Sequence, residues 1–279
     1  MIGSFAHWPK LGLGCAKIGS FSNPASLRQS SAFLETAARA GITLFDTADI
    51  YGQGDSERAI GRAARRLDSS PLIVTKGGRR FSSKARMLLP FKPLLRPLMS
   101  RRGATNAVTA RREANERCDW SAGYLAAALP ASLRRLGQPC VEAFVLHSPP
   151  VDIIVDPAVV AVMASFLESG VARHVGVSCD DMESLDAALQ VPIYTVVELD
   201  WPVIEAARNG PQGEALLARG IAVIARGALT HQPHRDPLDV FQSALADPLI
   251  TTTLIGTQQP ARLQAIAERF APVITQGRS

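Results

Sequence analysis

Short runs rich in β-branched residues alternate with longer segments of helical period along the whole chain. The runs cover Leu11 to Cys15, Thr43 to Asp46, Leu72 to Lys76, Ala143 to His147, His174 to Ser178, Thr195 to Leu199, Ala222 to Ala225 and Thr253 to Gly256. Apolar positions at three- and four-residue spacing predict helices over Ser26 to Ala40, Ser56 to Leu67, Ser121 to Leu136, Pro157 to Ser169, Met182 to Gln190, Gly213 to Ala218, Pro237 to Leu245 and Pro260 to Phe270. Several helices run into a glycine, as at Gly41, Gly170 and Gly220, where a left-handed C-terminal cap is least strained. Strand and helix in regular alternation build a parallel sheet, and eight such units close it, so the expected fold is α/β, a (β/α)8 TIM barrel with residues 1–279 as one domain.

An open doubly wound sheet would carry a glycine fingerprint after its first strand. Gly12 and Gly14 begin one, but Lys17 stands where the third glycine belongs. Between the third and fourth strands the connection runs from Gly77 to Trp120, far beyond the usual two to six residues, and reads as an insertion on the barrel. Prolines at 90, 93 and 97 forbid a long helix in it. A loop that follows a barrel strand opens on the catalytic face, so its arginines, Arg101 and Arg102 among them, favour an anionic substrate or cofactor phosphates.

Composition narrows the classes further. With 47% hydrophobic and 20% charged residues the chain is an ordinary globular one. Its net charge of +5 is local: residues 77–120 hold 11 of the 30 Lys and Arg against 3 of the 25 Asp and Glu, a net +8, which leaves −3 for the rest. Basicity confined to one segment, with aromatics at only 6%, argues against a nucleic-acid partner. The N-terminus lacks the pattern of a secretory signal and no uncharged apolar run reaches membrane-spanning length, which predicts a cytoplasmic protein with no membrane contact. Cys15, Cys118, Cys140 and Cys179 form no CxxC pair, so free thiols are expected and neither a metal site nor a disulfide framework.

Polar residues at the C-terminal ends of barrel strands are the candidates for chemistry. Asp46 ends the second strand, with Tyr51 in the loop beyond it; Lys76 closes the third and His147 the fourth. Taken singly, Asp46 reads as a cap, Tyr51 as a rim aromatic and His147 as an interior histidine. Lys76, at the end of the apolar run Leu72-Ile73-Val74, needs a partner, and Asp46 on the adjacent strand is the natural one. Together the four suit proton donation to a carbonyl oxygen as hydride reaches its carbon. A free phenol has a pKa of about 10, and a nearby ammonium favours the phenolate.

The segments Phe45-Asp46-Thr47-Ala48 through Tyr51-Gly52, Lys76, and Leu146-His147-Ser148-Pro149 resemble the signature of the aldo-keto reductase family, and the resemblance extends from Leu11-Gly12-Leu13-Gly14 to Leu254-Ile255-Gly256-Thr257. It implies a barrel that binds a nicotinamide cofactor across its strand ends and reduces aldehydes or ketones, with Tyr51 as general acid, Lys76 and Asp46 tuning it, and His147 orienting the substrate. It implies cofactor contacts at Gly14, Cys15, Ser178, Glu198, Trp201, Arg226, Gly227, Leu229, Gly256, Thr257 and Arg262. Several of these depart from the family's usual pattern. Ser178-Cys179 stands for Ser-Asn, and Glu198 replaces a glutamine; a carboxylate accepts from the nicotinamide amide but cannot donate to its carbonyl. Stacking on Trp201 would then help hold the ring, while the alternative for Glu198 is a structural ion pair. Arg226 stands after the seventh strand in place of a stacking tyrosine, fit to stack through its guanidinium plane or clamp phosphate, with a surface salt bridge as the alternative. Arg262 matches the position that meets a 2′-phosphate, while Gly256 replaces a reinforcing lysine, so NADP(H) is expected with NAD(H) the alternative. The implied partner is a small carbonyl or alcohol substrate, possibly acidic in character given the basic insertion; the alternatives are an NAD-dependent sugar or alcohol dehydrogenase and a cofactor-binding regulatory protein with little turnover.

Overall fold

Eight parallel strands close on themselves in a computed structural model that describes residues 5–20, 23, 25–81 and 116–271. The strands are β1 (Leu11–Gly14), β2 (Leu44–Asp46), β3 (Leu72–Gly77), β6 (Val141–His147), β7 (Ala172–Cys179), β8 (Tyr194–Asp200), β9 (Ala222–Arg226) and β10 (Thr252–Ile255), paired around the ring in the order β1-β10-β9-β8-β7-β6-β3-β2. Helices lie between them on the outside, and the barrel expected from the alternation is the barrel observed. The intervening labels belong to a short antiparallel ribbon, β4 (Arg79–Phe81) with β5 (Glu116–Cys118), at the base of the 77–120 connection. Arg101, Arg102 and the prolines of that connection lie outside the described residues.

The two sides of each strand have different work. Leu44, Val74, Ala143, Val145, Val196, Ala222 and Ile224 form one buried cluster, the barrel's interior, closed at the N-terminal end by Trp8. The other strand face packs with the helices into the larger outer core, which includes Leu13, Phe45, Ile73, Phe144, Val177 and Leu199. Because side chains alternate along a strand, the residue two positions beyond each interior apolar residue also faces inward. Those residues are Asp46 after Leu44, Lys76 after Val74, His147 after Val145, Glu198 after Val196 and Arg226 after Ile224. The apolar alternation that fills the barrel therefore delivers five polar side chains to one layer at its C-terminal mouth.

Helix ends follow the sequence closely. Ser26 caps the helix Leu27–Arg39 in a reciprocal capping box with Gln29, and Asp181 caps Met182–Gln190 likewise with Ser184. The helix Trp201–Ala207, absent from the sequence reading, begins directly at the end of β8: Asp200 accepts from the Trp201 backbone N–H, and Pro202 occupies the first turn.

Candidate active site

Lys76 is the centre of the mouth. It is fully buried, and it donates from Nζ to Asp46 Oδ1 and, at 3.3 Å, to the Thr47 carbonyl. Its third neighbour is Glu198, whose Oε2 lies 2.9 Å from Nζ as an ion pair without hydrogen-bond alignment. Asp46 is thus the partner expected, and Glu198 a second one that sequence reasoning did not assign to Lys76. β2 and β3 are neighbours, whereas β3 and β8 are separated around the ring by β6 and β7, so only closure of the barrel brings Glu198 across to Lys76.

The electrostatics follow from one ammonium held between two buried carboxylates. Burial by itself would strip Lys76 of its proton, but Asp46, Glu198 and Tyr51 together hold it charged well above the usual lysine range. Asp46 is pushed above the ordinary carboxylate range, first by burial and next by Glu198, with Lys76 pulling the other way. The Cys15 thiol behind them is kept protonated, by burial foremost.

Tyr51 lies over this group: Lys76 Nζ is 5.5 Å from its ring centroid, and the His147 ring stands edge-on to it at 5.6 Å. The loop carrying Tyr51 is fastened at several points. Thr47 and Asp49 donate their backbone N–H groups to the Val74 and Lys76 carbonyls at 2.8 and 3.1 Å. The Thr47 hydroxyl donates to Ser56 Oγ at 2.8 Å, which donates to the Cys15 carbonyl at 3.2 Å. Gly52 makes the turn after Tyr51 with φ +56, and a Cβ there would lie 2.6 Å from the Gly19 backbone, so only glycine fits. On the other side, Arg79 Nε donates at 3.1 Å to the carbonyl of His147, tying the start of the insertion to the end of β6.

A cavity of about 230 Å³ opens here, running from Asp46 and Tyr51 past Glu198 and Arg226 to Gly256 and Gln258. Gly14, Gly227, Leu229 and Thr257 also line it. Arg226 is engaged by three carboxylates: Asp180 Oδ1 at 2.5 Å, Glu198 Oε1 at 3.5 Å and Asp200 Oδ2 at 3.5 Å. Ser178 donates to Glu198 Oε1 at 3.4 Å. Glu198 therefore takes the ion-pair alternative, bridging Lys76 and Arg226. The expected stacking of Trp201 is corrected by the structure: as the first residue of its helix it is buried in the outer core, its Nε1 donating to Glu205 at 2.8 Å and the Arg208 guanidinium lying 5.8 Å from its ring. The Asp200-Trp201-Pro202 sequence is itself a helix-start signal that would have warned of this. The Cys15 thiol also faces the outer core and donates to the Leu13 carbonyl at 3.5 Å. Arg262 is exposed in the first turn of the helix Pro260–Arg269.

The cavity is polar and carries both signs of charge, since Asp46 and Glu198 line it as well. Lys17 and Arg226 border it, a Cβ at Gly256 would meet open space, and the Gln258 Nε2 donor is buried without a hydrogen-bond partner. Among the described residues no group of three or more His, Cys, Asp or Glu could hold a metal ion, and no helix is long and apolar enough to cross a membrane.

Comparison with known proteins agrees with this arrangement. Pyridoxal 4-dehydrogenase of Microbacterium luteolum is 33% identical over 138 residues, 49% of this chain and 39% of that protein. D-threo-aldose 1-dehydrogenase of a Pseudomonas species is 30% identical over 141 residues, 50% of this chain and 40% of its own length. An NADP(+) aldo-keto reductase of Schizosaccharomyces pombe is 25% identical over 69% of this chain and 49% of its own. The matches thus span about half or less of these relatives' length. In fold, the holo form of an aldo-keto reductase from Bacillus halodurans superposes with a TM-score of 0.70 at 18% identity, covering 96% of this chain and 91% of its own. An aldo/keto reductase from Klebsiella pneumoniae in complex with NADP and acetate gives 0.63 at 19%, covering 94% and 85%. The model of the aldo/keto reductase family matches residues 10–235. With that match over most of the barrel, the chain belongs to the aldo/keto reductase family of oxidoreductases.

Proposed function

We propose that the chain reduces aldehydes or ketones with NADP(H), using Tyr51 as the acid. The observation that carries this is the juxtaposition of the Tyr51 ring with a buried ammonium at 5.5 Å and an edge-on imidazole at 5.6 Å, at the mouth of a polar cavity. When bound, a reduced nicotinamide dinucleotide would supply hydride to the carbonyl carbon. Tyr51 donates its phenolic proton to the carbonyl oxygen, and Lys76 stabilises the phenolate left behind. Asp46 holds Lys76 in place and charged. His147 hydrogen-bonds the carbonyl oxygen, so that charge develops among fixed dipoles. Gln258 and the backbone around Gly256 and Thr257 would hold the dinucleotide, and Arg262 would serve a 2′-phosphate. The names of the Schizosaccharomyces relative and the Klebsiella neighbour support the cofactor choice.

A second reading runs the same proton transfer in reverse, as a dehydrogenase of sugars or other alcohols. It is favoured by the names of the two relatives at 33% and 30% identity, both dehydrogenases.

The test pairs binding with turnover. Calorimetric titration with NADPH and with NADH should favour NADPH, and Arg262→Ala should abolish the preference. NADPH oxidation with an aldehyde panel, and NAD+ reduction with aldoses, then separates the two directions. Tyr51→Phe should lower either rate by about 10²- to 10⁴-fold while nucleotide affinity is unchanged. Failure of both nucleotides to bind at submillimolar concentration would overturn both readings and leave a noncatalytic role.

A further inference from the structure

Glu198 is placed to do more than fill the position of a cofactor clamp. One oxygen lies 2.9 Å from Lys76 Nζ; the other lies 3.5 Å from Arg226 Nε and accepts from Ser178. It is almost wholly buried, as are Lys76 and Asp46. At the alkaline pH where a phenol titrates, above the raised range of Asp46, the ionised Asp46, Lys76 and Glu198 carry a net charge of −1, whereas Asp46 and Lys76 alone would be neutral. Arg226 offsets this only in part, because Asp180 and Asp200 share it. Among the described residues His147 stands edge-on to the Tyr51 ring, and the Cys15 thiol near Asp46 and Lys76 is neutral.

On the reading of Tyr51 as the acid, we propose that Glu198 is a positioning residue that divides the Lys76 ammonium between two carboxylates, weakens its pull on the Tyr51 phenol and so keeps that phenol protonated. The consequence is directional. A protonated phenol is the form that gives its proton to a carbonyl oxygen; a phenolate is the form that takes one from an alcohol. Glu198 therefore biases the site toward carbonyl reduction and moves the alkaline limit of that activity upward.

The chain makes the test accessible, because it holds only three tyrosines. Tyr124 and Tyr194 are both held well above the ordinary phenol range, foremost by burial and for Tyr124 next by Asp49. Near-ultraviolet phenolate absorbance, followed up to about pH 11 in the protein without substrate or nucleotide, therefore reports Tyr51, and Tyr51→Phe should abolish the transition. Glu198→Gln removes one negative charge at nearly constant shape and should move the midpoint down by about one pH unit or more. Glu198→Asp keeps the charge and should leave the midpoint near that of the wild type. If the glutamine variant does not fold, Glu198→Met carries the same expectation. A midpoint unmoved or raised in the Gln or Met variant overturns the proposal, and so does a change in melting temperature with no change in midpoint, the outcome of a purely structural role. The titration needs no turnover. A shifted midpoint in a protein that reduces no aldehyde would discard the reductase reading and keep the link from Glu198 to Tyr51; turnover with an unmoved midpoint would do the reverse.

Discussion

Replacing Lys76 by methionine tests whether the mouth of the barrel is held by charge or by packing. Methionine keeps most of the aliphatic chain in a site with no solvent exposure but removes the ammonium that faces Asp46 and Glu198. Removing one partner of a buried ion pair costs about 3–5 kcal/mol, because the other charge stays buried without compensation. For 279 residues, unfolding entropy near the melting point is about 0.6 kcal/mol per degree, so Tm should fall by about 5–8 °C. A double-variant cycle separates this loss from a packing defect. Glu198→Gln alone leaves the neutral Lys76 and Asp46 pair intact and should cost little. In the Lys76→Met background the same change removes a repulsive carboxylate, so the double variant should be about 2 kcal/mol more stable than Lys76→Met alone and melt about 3 °C higher, a coupling of about 2 kcal/mol. Calorimetric melts, with urea unfolding at constant m-value as a check, measure all four proteins. Effects that add to within about 0.5 kcal/mol would refute the shared-ammonium arrangement.

Two further predictions concern the loop beyond β2. Asp49, which accepts from the Tyr124 hydroxyl at 3.1 Å, is raised to about 7 by burial first and by Glu57 next. A carboxyl raised in the folded state binds a proton that the unfolded chain has already released, so it withdraws stability as pH rises from about 4 toward 7. Asp49→Asn keeps the acceptor for Tyr124 and removes the titration; its Tm should gain on that of the wild type between pH 5 and pH 8, and parallel Tm profiles would contradict the assignment. Gly52→Ala would place a methyl 2.6 Å from the Gly19 backbone at a positive φ, which should cost about 1–3 kcal/mol and displace Tyr51. Turnover and Tm should fall together, and full activity in a well-folded variant would show that Tyr51 does not depend on this turn.

What the sequence discloses of this site depends on the range of the interaction. Asp46, Lys76 and His147 are legible because each is fixed by a short-range rule: strand alternation and the C-terminal ends of consecutive strands place them inward at one height, and Tyr51 follows Asp46 by five residues in the loop beyond it. The partnership of Lys76 with Asp46 is legible for the same reason, since β2 and β3 are successive in the chain and adjacent in the barrel. Its partnership with Glu198 is not, because the two are 122 positions apart and meet only across the closed ring. Trp201 shows the converse: the resemblance alone points its ring toward the cavity, whereas the alternation that turns Glu198 inward and the helix start at Asp200 and Pro202 both seat it in the outer core. The distinction matters for chemistry. The short-range rules place Lys76 and the start of the Tyr51 loop, and the interaction across the barrel divides the Lys76 ammonium between two carboxylates. A chain with the same four inward-facing residues but a neutral side chain at position 198 would have the same recognisable signature and a more acidic phenol.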